Sequence, residues 1–235
     1  MMRISVIIPT YQHGRTISAC LESVLDQTLK PFEIIVVNDG STDGTDALLA
    51  RYADRVIIIE QENEGSNSAR NRGFATSHGD FVIFCDADVV MRMDMLERLA
   101  RVLQENPEAG FSYSAFRFGW KAFSSYDFDE ARLKRMNYIH TTALLRRETF
   151  PGFDPAIKRL QDWDVWLTML ERGAHGVYTP EELFRIVDDH GRKGISQWRP
   201  SFFYRVAWNW IGWEPASLKR YRAAKTIVEK KHGLV

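Results

Sequence analysis

The stretch Phe32-Glu33-Ile34-Ile35-Val36-Val37-Asn38-Asp39-Gly40-Ser41-Thr42-Asp43 decides the fold class. From Ile34 to Val37 it is apolar without alternation, as in a strand covered on both faces. Asn38, Asp39 and Gly40 mark an exit turn. Ser41, Thr42 and Asp43 offer N-caps for a helix running through Leu48 and Leu49. Working outward, three more runs rich in β-branched and aromatic residues have the same character: Ile4 to Ile8, Val56 to Ile59 and Phe81 to Phe84. Between them, Ile17, Cys20, Leu21, Val24 and Leu25 recur at helical spacing within residues 16–26, and another helix is predicted over 67–77. Strand and helix in alternation predict a doubly wound α/β unit.

Sheets of this kind bind ligands beyond the carboxyl ends of their strands. The four exits here are Thr10-Tyr11, Asn38-Asp39, Glu62-Asn63 and Asp86-Ala87-Asp88, and three of them carry an acid. Turn preference alone accounts for some of these acids. It accounts less well for Asp86 and Asp88 together. Two acids two apart on an extended chain point the same way, and like charges held together are costly unless neutralised. A hard divalent cation such as Mg²⁺ or Mn²⁺ neutralises them and bridges to substrate phosphates.

Beyond residue 90 the pattern is less regular. A helix is expected over 93–105, strands over 110–118 and 138–145, and a helix over 162–171. Short strands are expected at 177–178 and 183–187, and helical structure from residue 200 on.

The 235 residues, 45% of them hydrophobic, suffice for one sizeable core with an attached subdomain. The 31 basic and 31 acidic residues cancel, so no global field argues for nucleic acid or an acidic polymer. Cys20 and Cys85 lack metal-site or disulfide spacing and read as small buried hydrophobes, as expected in a reducing compartment. No signal-peptide core opens the chain, and no apolar run approaches the roughly 20 residues that span a bilayer. The expectation is a cytoplasmic protein.

At this point a resemblance becomes specific. The runs Ser5-Val6-Ile7-Ile8-Pro9-Thr10-Tyr11, Ser23-Val24-Leu25-Asp26-Gln27-Thr28 and Glu33 through Asp43 are followed by Asn63-Glu64-Gly65, Ala69-Arg70-Asn71-Arg72-Gly73, Gly79-Asp80 and Asp86-Ala87-Asp88. In order and spacing these resemble glycosyltransferase family 2. The resemblance implies a GT-A fold, a nucleotide-diphosphate sugar donor, a saccharide or lipid-linked saccharide acceptor, and transfer with inversion assisted by Mn²⁺ or Mg²⁺. It implies that Asp39 meets the nucleobase, that Pro9, Thr10 and Tyr11 hold the nucleoside, and that Arg70 and Asp86 lie near the nucleotide. Asp88 would be the metal ligand. It also divides the chain: 1–195 as the GT-A domain, with a nucleotide-sugar half (1–98) and an acceptor half (99–195), then a helical extension over 196–235.

Further on, Phe150-Pro151-Gly152-Phe153-Asp154 and Gln161-Asp162-Trp163-Asp164-Val165-Trp166 resemble the family's Gly-Phe-Asp and Glu-Asp-x-Asp-x-Trp region. That match makes Asp162 the catalytic base. Gln161 stands where glutamate is usual, and Asp164 reads as structural. An acceptor hydroxyl must lose a proton as it attacks, and one carboxylate can take it. A hydrolase would want two acids flanking one bond. His140 and Trp163 fall on the acceptor side. His190, before Gly191-Arg192-Lys193-Gly194, is a candidate third metal ligand, with a solvated histidine as the alternative. Trp198, Trp208, Trp210 and Trp213, followed by the basic residues Lys219, Arg220, Arg222, Lys225, Lys230 and Lys231, read either as a membrane-surface foot over 198–232 or as core with a solvated helix. The competing function is a catalytically silent nucleotide-sugar-binding or partner-docking module. A nucleotidyltransferase would need a Gly-rich phosphate loop after Ile8, and a dinucleotide oxidoreductase a G-x-G-x-x-G after a strand. Neither is present.

Overall fold

The four apolar runs form β1 (Ile4–Thr10), β2 (Glu33–Asn38), β3 (Ile57–Glu60) and β4 (Phe81–Phe84) in the computed structural model, which describes residues 2–187 and 215–235. They pair in parallel in the order β3-β2-β1-β4, with Val6 opposite both Ile34 and Ile83. Helices α1 (Ile17–Leu25), α2 (Thr45–Leu49) and α3 (Ser66–Thr76) connect them, followed by β5 (Val89–Met91) and α4 (Met95–Glu105). Strand alternation sorts β1 between two cores. Val6 and Ile8 pack with Cys20 and Leu21 of α1 and Leu99 of α4. Ile7 joins Val82 and Phe84 in the core on the other face. The expectation of a strand covered on both faces fails at β3. It ends the strand order, and Ile57 is 44% exposed.

Helix α3 lies close to the sheet because residue 73 is glycine. A Cβ there would stand 2.5 Å from Ile7 Cγ2 and 3.2 Å from Val37 Cγ2. One turn earlier on the same helix sits Arg70, so this close approach helps set where its guanidinium reaches.

The second half comprises β6 (Phe111–Phe118), β7 (Lys121–Phe123), α5 (Glu130–Leu133), β8 (Leu144–Arg146), α6 (Gln161–Glu171), β9 (Gly176–Ile186) and α7 (Ala216–Lys231). It extends the sheet through β8-β6-β9-β5, with β7 pairing β6, so that parallel and antiparallel pairs mix. Two expectations change here. The strand expected over 138–145 survives only from Leu144, because side chains and not a neighbouring strand take the carbonyls before it: Trp166 Nε1 donates to Ile139 O at 2.9 Å and Ser125 Oγ to Tyr138 O at 2.8 Å. The two short strands expected at 177–178 and 183–187 are one strand, β9. Its register slips from Thr179 to Glu182 across Pro180, which has no N–H for a ladder bond.

Helix α7 docks on the second half. Val228 is fully buried in the core that holds Trp163 and Trp166. Lys231 Nζ and His232 Nε2 each lie 2.9 Å from Asp164 Oδ1. Among the described residues no helix is long and apolar enough to cross a membrane. His190, the loop at 191–194, the expected boundary at 195/196 and the tryptophans from Trp198 to Trp213 lie outside the described residues.

Candidate active site

The strand exits converge at the carboxyl ends of β1, β2 and β4, the switch point of a doubly wound sheet. Pro9 and Thr10 are buried at the end of β1, and Tyr11 beyond them is 37% exposed. Gln12 follows with φ +58°, a costly conformation for a non-glycine residue. Bonds to the β2 exit hold it there: Gln12 N donates to Ser41 Oγ at 3.0 Å and Gln12 Nε2 to Thr42 Oγ1 at 2.8 Å. Asp39 is buried, and its backbone N–H donates to Thr10 O. Its Oδ1 accepts from Gln61 Nε2 at 2.7 Å and Glu64 N at 2.9 Å, and its Oδ2 from Gly65 N at 2.9 Å. A carboxylate has about four acceptor positions, so one remains on Oδ2. Asp39 therefore organises the 61–65 loop and retains capacity for one more donor.

Asp86 and Asp88 do not stand on an extended chain as expected. They occupy a tight turn between β4 and β5, closed by Val89 N to Asp86 O at 2.9 Å. Arg70 Nη2 donates to Asp86 Oδ1 at 2.6 Å, and its guanidinium lies 5.1 Å from the Phe153 ring centre. Burial raises the Asp86 pKa, but Arg70, with help from His140 and His13, brings it below the ordinary carboxylate value. Asp88 sits beside the end of β9, where its carbonyl accepts from Val187 N at 2.8 Å.

As donors for a divalent cation the turn offers two carboxylates, and no group of three or more His, Cys, Asp or Glu among the described residues is placed to hold one. Asp86 is already committed to Arg70. Asp88 with phosphate oxygens is a hard donor set that Mg²⁺ or Mn²⁺ accepts. The residues fit a cation that arrives with a diphosphate.

Asp162 occupies the first turn of α6, where the helix N-terminus favours an anion. Leu160, just before, has φ +57°. The two positive-φ non-glycine residues described, Gln12 and Leu160, thus flank the two halves of the site. Asp162 Oδ2 accepts from Asn137 Nδ2 at 2.7 Å, and Oδ1 from Trp163 N at 3.0 Å. Burial raises its pKa above the ordinary value, against the lowering effects of the Asn137 bond, His140 and Arg70. His140 packs at a tilt against Phe116 and Phe184, with ring centres 5.0 and 5.1 Å away. Its Nδ1 accepts from Thr142 N at 3.1 Å. Burial lowers its pKa, although Asp86 and Asp162 act to raise it.

Trp163 does not line an open face. It is 1% exposed and its Nε1 donates to Leu133 O at 2.7 Å, which makes it packing beneath the acceptor side. A cleft of about 610 Å³ on the Asp164 side of α6 is lined by Asp154, Asp164, Glu171, Lys231 and His232. These charges already pair with one another.

The profile of the family described as glycosyl transferase family 2 matches residues 5–157. The chain belongs to that family. The match covers the exits of β1 to β4 and stops short of Asp162. Among curated relatives, the putative teichuronic acid biosynthesis glycosyltransferase TuaG of Bacillus subtilis is 29% identical over 202 residues, covering 79% of this chain and 80% of the relative. Glycosyltransferase GlyA of Streptococcus pneumoniae is 39% identical over 106 residues, 44% of this chain. This chain spans only 15% of GlyA's length, and 35% of an uncharacterized Nostoc glycosyltransferase that is also 39% identical. Two solved structures share the fold at low identity. S. aureus TarS in complex with UDP-GlcNAc matches 87% of this chain and 64% of that one, at TM-score 0.67 and 19% identity. Mannosyltransferase PcManGT from Pyrobaculum calidifontis, in complex with GDP-Man and Mn²⁺, matches 97% and 70% at TM-score 0.66 and 20% identity.

The family motifs pointed to Asp39, Arg70, Asp86, Asp88 and Asp162. They gave no signal for His13, Gln61 or Asn137, ordinary polar residues whose proximity to those acids arises only on folding.

Proposed function

We propose that this family member transfers a sugar, with inversion, from a nucleotide-diphosphate sugar to a hydroxyl acceptor, with UDP or dTDP as the donor's nucleotide. The observation that carries this reading is the half-buried Asp162 carboxylate at the start of α6, held by Asn137 Nδ2 at 2.7 Å and Trp163 N at 3.0 Å, in a chain whose strand exits also present Asp39 and the Arg70–Asp86 pair. A carboxylate placed to face an acceptor hydroxyl is a competent general base. Asp162 takes the proton from the attacking hydroxyl while Asp39 accepts from the N3–H of uracil or thymine. Asp88 would hold the divalent cation, which when bound offsets charge developing on the diphosphate. Holding both substrates in line supplies much of the rate. TarS bound to UDP-GlcNAc and PcManGT bound to GDP-Man and Mn²⁺ support a nucleotide-sugar donor, and TuaG supports a cell-surface polysaccharide acceptor.

The test is an incubation of UDP-, dTDP- and GDP-sugars with Mn²⁺ and candidate saccharides, followed by NMR of the product's anomeric centre. Retained configuration would overturn the single-base reading. Nucleotide binding without transfer to any acceptor would leave the silent binding module.

Asp39→Ala is expected to weaken UDP binding roughly 10- to 100-fold, from losing a bond to a charged acceptor worth about 1.5–3 kcal/mol. Metal dependence should persist. Calorimetric titration giving an unchanged dissociation constant would put the base elsewhere.

Peripheral contact with an anionic membrane belongs to the same proposal. The exposed basic residues Lys219, Arg220 and Lys230 of α7 support it, whereas Lys231 is turned to Asp154 and Asp164. Flotation with phosphatidylserine vesicles should recover the protein at low salt and lose it as salt rises. No recovery at low salt would remove the idea.

A further inference from the structure

We infer that Asn137 is a positioning residue for Asp162: its side-chain amide fixes the orientation of that carboxylate and favours its charged form by a hydrogen bond. The inference rests on the proposed role of Asp162 as base. Three observations carry it. The Asn137 Nδ2 to Asp162 Oδ2 bond, at 2.7 Å, is the one side-chain hydrogen bond described to that carboxylate. The amide is oriented by its own Oδ1, which accepts from Ile139 N at 3.4 Å and so turns Nδ2 toward Asp162. And the 133–139 segment does not need the Asn137 bond to stay in place. Trp163 Nε1 ties Leu133 O, Trp166 Nε1 ties Ile139 O and Ser125 Oγ ties Tyr138 O, each within 2.9 Å. The bond between Asn137 and Asp162 is therefore available for the carboxylate's chemistry and is not what holds the chain.

The charged and titratable groups acting on Asp162 can be named. His140 from the 136–143 segment and Arg70 from α3 both favour the ionised form, and burial opposes it. Across the site, Asp86 acts on His140. From α6 itself, Gln161 points away, its Nε2 3.2 Å from Ser66 Oγ, so the position before the base adds no charge. Asn137 is thus, with the backbone N–H of Trp163, a neutral donor that works against burial without introducing a cation that could pair with the carboxylate and quench it. A hydrogen bond to the charged form lowers a carboxyl's pKa, so removing it raises the pKa.

The test titrates protein labelled with ¹³C at the aspartate carboxyl carbon by NMR. The resonance missing in Asp162→Asn identifies Asp162. In Asn137→Ala its midpoint should rise by about one to two pH units, the worth of a hydrogen bond to a charged acceptor in pKa terms. In Asn137→Asp it should rise further. That variant keeps the oxygen that accepts from Ile139 N, so the turn survives, but puts a second carboxylate where the donor was. Sugar transfer by Asn137→Ala should show its acidic limb displaced upward by the same amount, with the rate recovering at higher pH and UDP affinity unchanged. An unmoved midpoint in both variants overturns the inference, as does a lowered melting temperature or UDP affinity with no change in the midpoint. The two readings fail separately. If the midpoint moves but Asp162→Asn still transfers sugar, the base assignment falls and the Asn137 role stands. If Asp162→Asn is inactive and the midpoint does not move, the reverse holds.

Discussion

Asp162→Asn is expected to lose sugar transfer by about 10²–10⁴-fold, the range for removing a general base, while donor affinity stays near the parent's. Asparagine preserves size and the helix start but cannot take a proton from the acceptor hydroxyl. The same substitution should stabilise the protein at neutral pH. Burial raises the Asp162 pKa above its ordinary value. Between the ordinary and the raised value the folded protein binds more protons than the unfolded chain, so stability falls as pH rises through that window. Asparagine escapes that loss. Its advantage should be absent below about pH 4, near the ordinary carboxyl value, and present at pH 8, which melting curves at both values would read. The control is Asp164→Asn. Asp164 is 2% exposed and joins α6 to Lys231 and His232 of the C-terminal segment. Its loss should cost about 1–3 kcal/mol in bonds to a charged group and leave the transfer rate largely intact. A dead Asp164→Asn beside an active Asp162→Asn would place the base two residues later.

UDP is expected to stabilise the fold only when Mn²⁺ or Mg²⁺ is present. At one hundred times its dissociation constant the gain is about 2.7 kcal/mol, a rise of roughly 5–10 °C in melting temperature for a domain of this size. The reason is how few metal ligands stand together among the described residues. Asp86 is tied to Arg70 at 2.6 Å, so the cation depends on Asp88 and the diphosphate together. EDTA should abolish the shift, and so should Asp88→Ala. Equal stabilisation in EDTA would mean that the diphosphate is held by the protein without a bridge.

The parallel half of the fold was legible because its determinants are local. Four apolar runs and their exits give β1 to β4 and the helices between them within a few residues of the expected ends, although Gly44, and none of Ser41, Thr42 or Asp43, stands at the N-cap of α2. Asp39, Asp86 and Asp88 were legible as candidates for the same reason: position along a strand determines what lies at the sheet's carboxyl edge. Their environments were not. Spacing suggested that Asp86 and Asp88 form a matched pair on an extended chain, whereas a turn separates them and Arg70, 16 residues earlier, claims one.

The second half was less legible because its ladders depend on partners far away in the chain. The 138–143 segment has strand-like composition, yet Trp166 and Ser125 take its carbonyls and leave only Leu144–Arg146 in the sheet. Trp163 has the size and aromaticity of a sugar-stacking residue, but packing against α5 encloses it. The sequence by itself determined the doubly wound nucleotide half and the chemical identity of its acids, because strand period, turn chemistry and charge are written residue by residue. Only the tertiary structure decided that Arg70 reaches Asp86, that burial raises the Asp162 pKa and that the Asn137 amide meets that carboxylate. Those properties come from burial and from contacts across 16 to 25 residues of chain, where the dielectric and the neighbours exist only after the chain has folded.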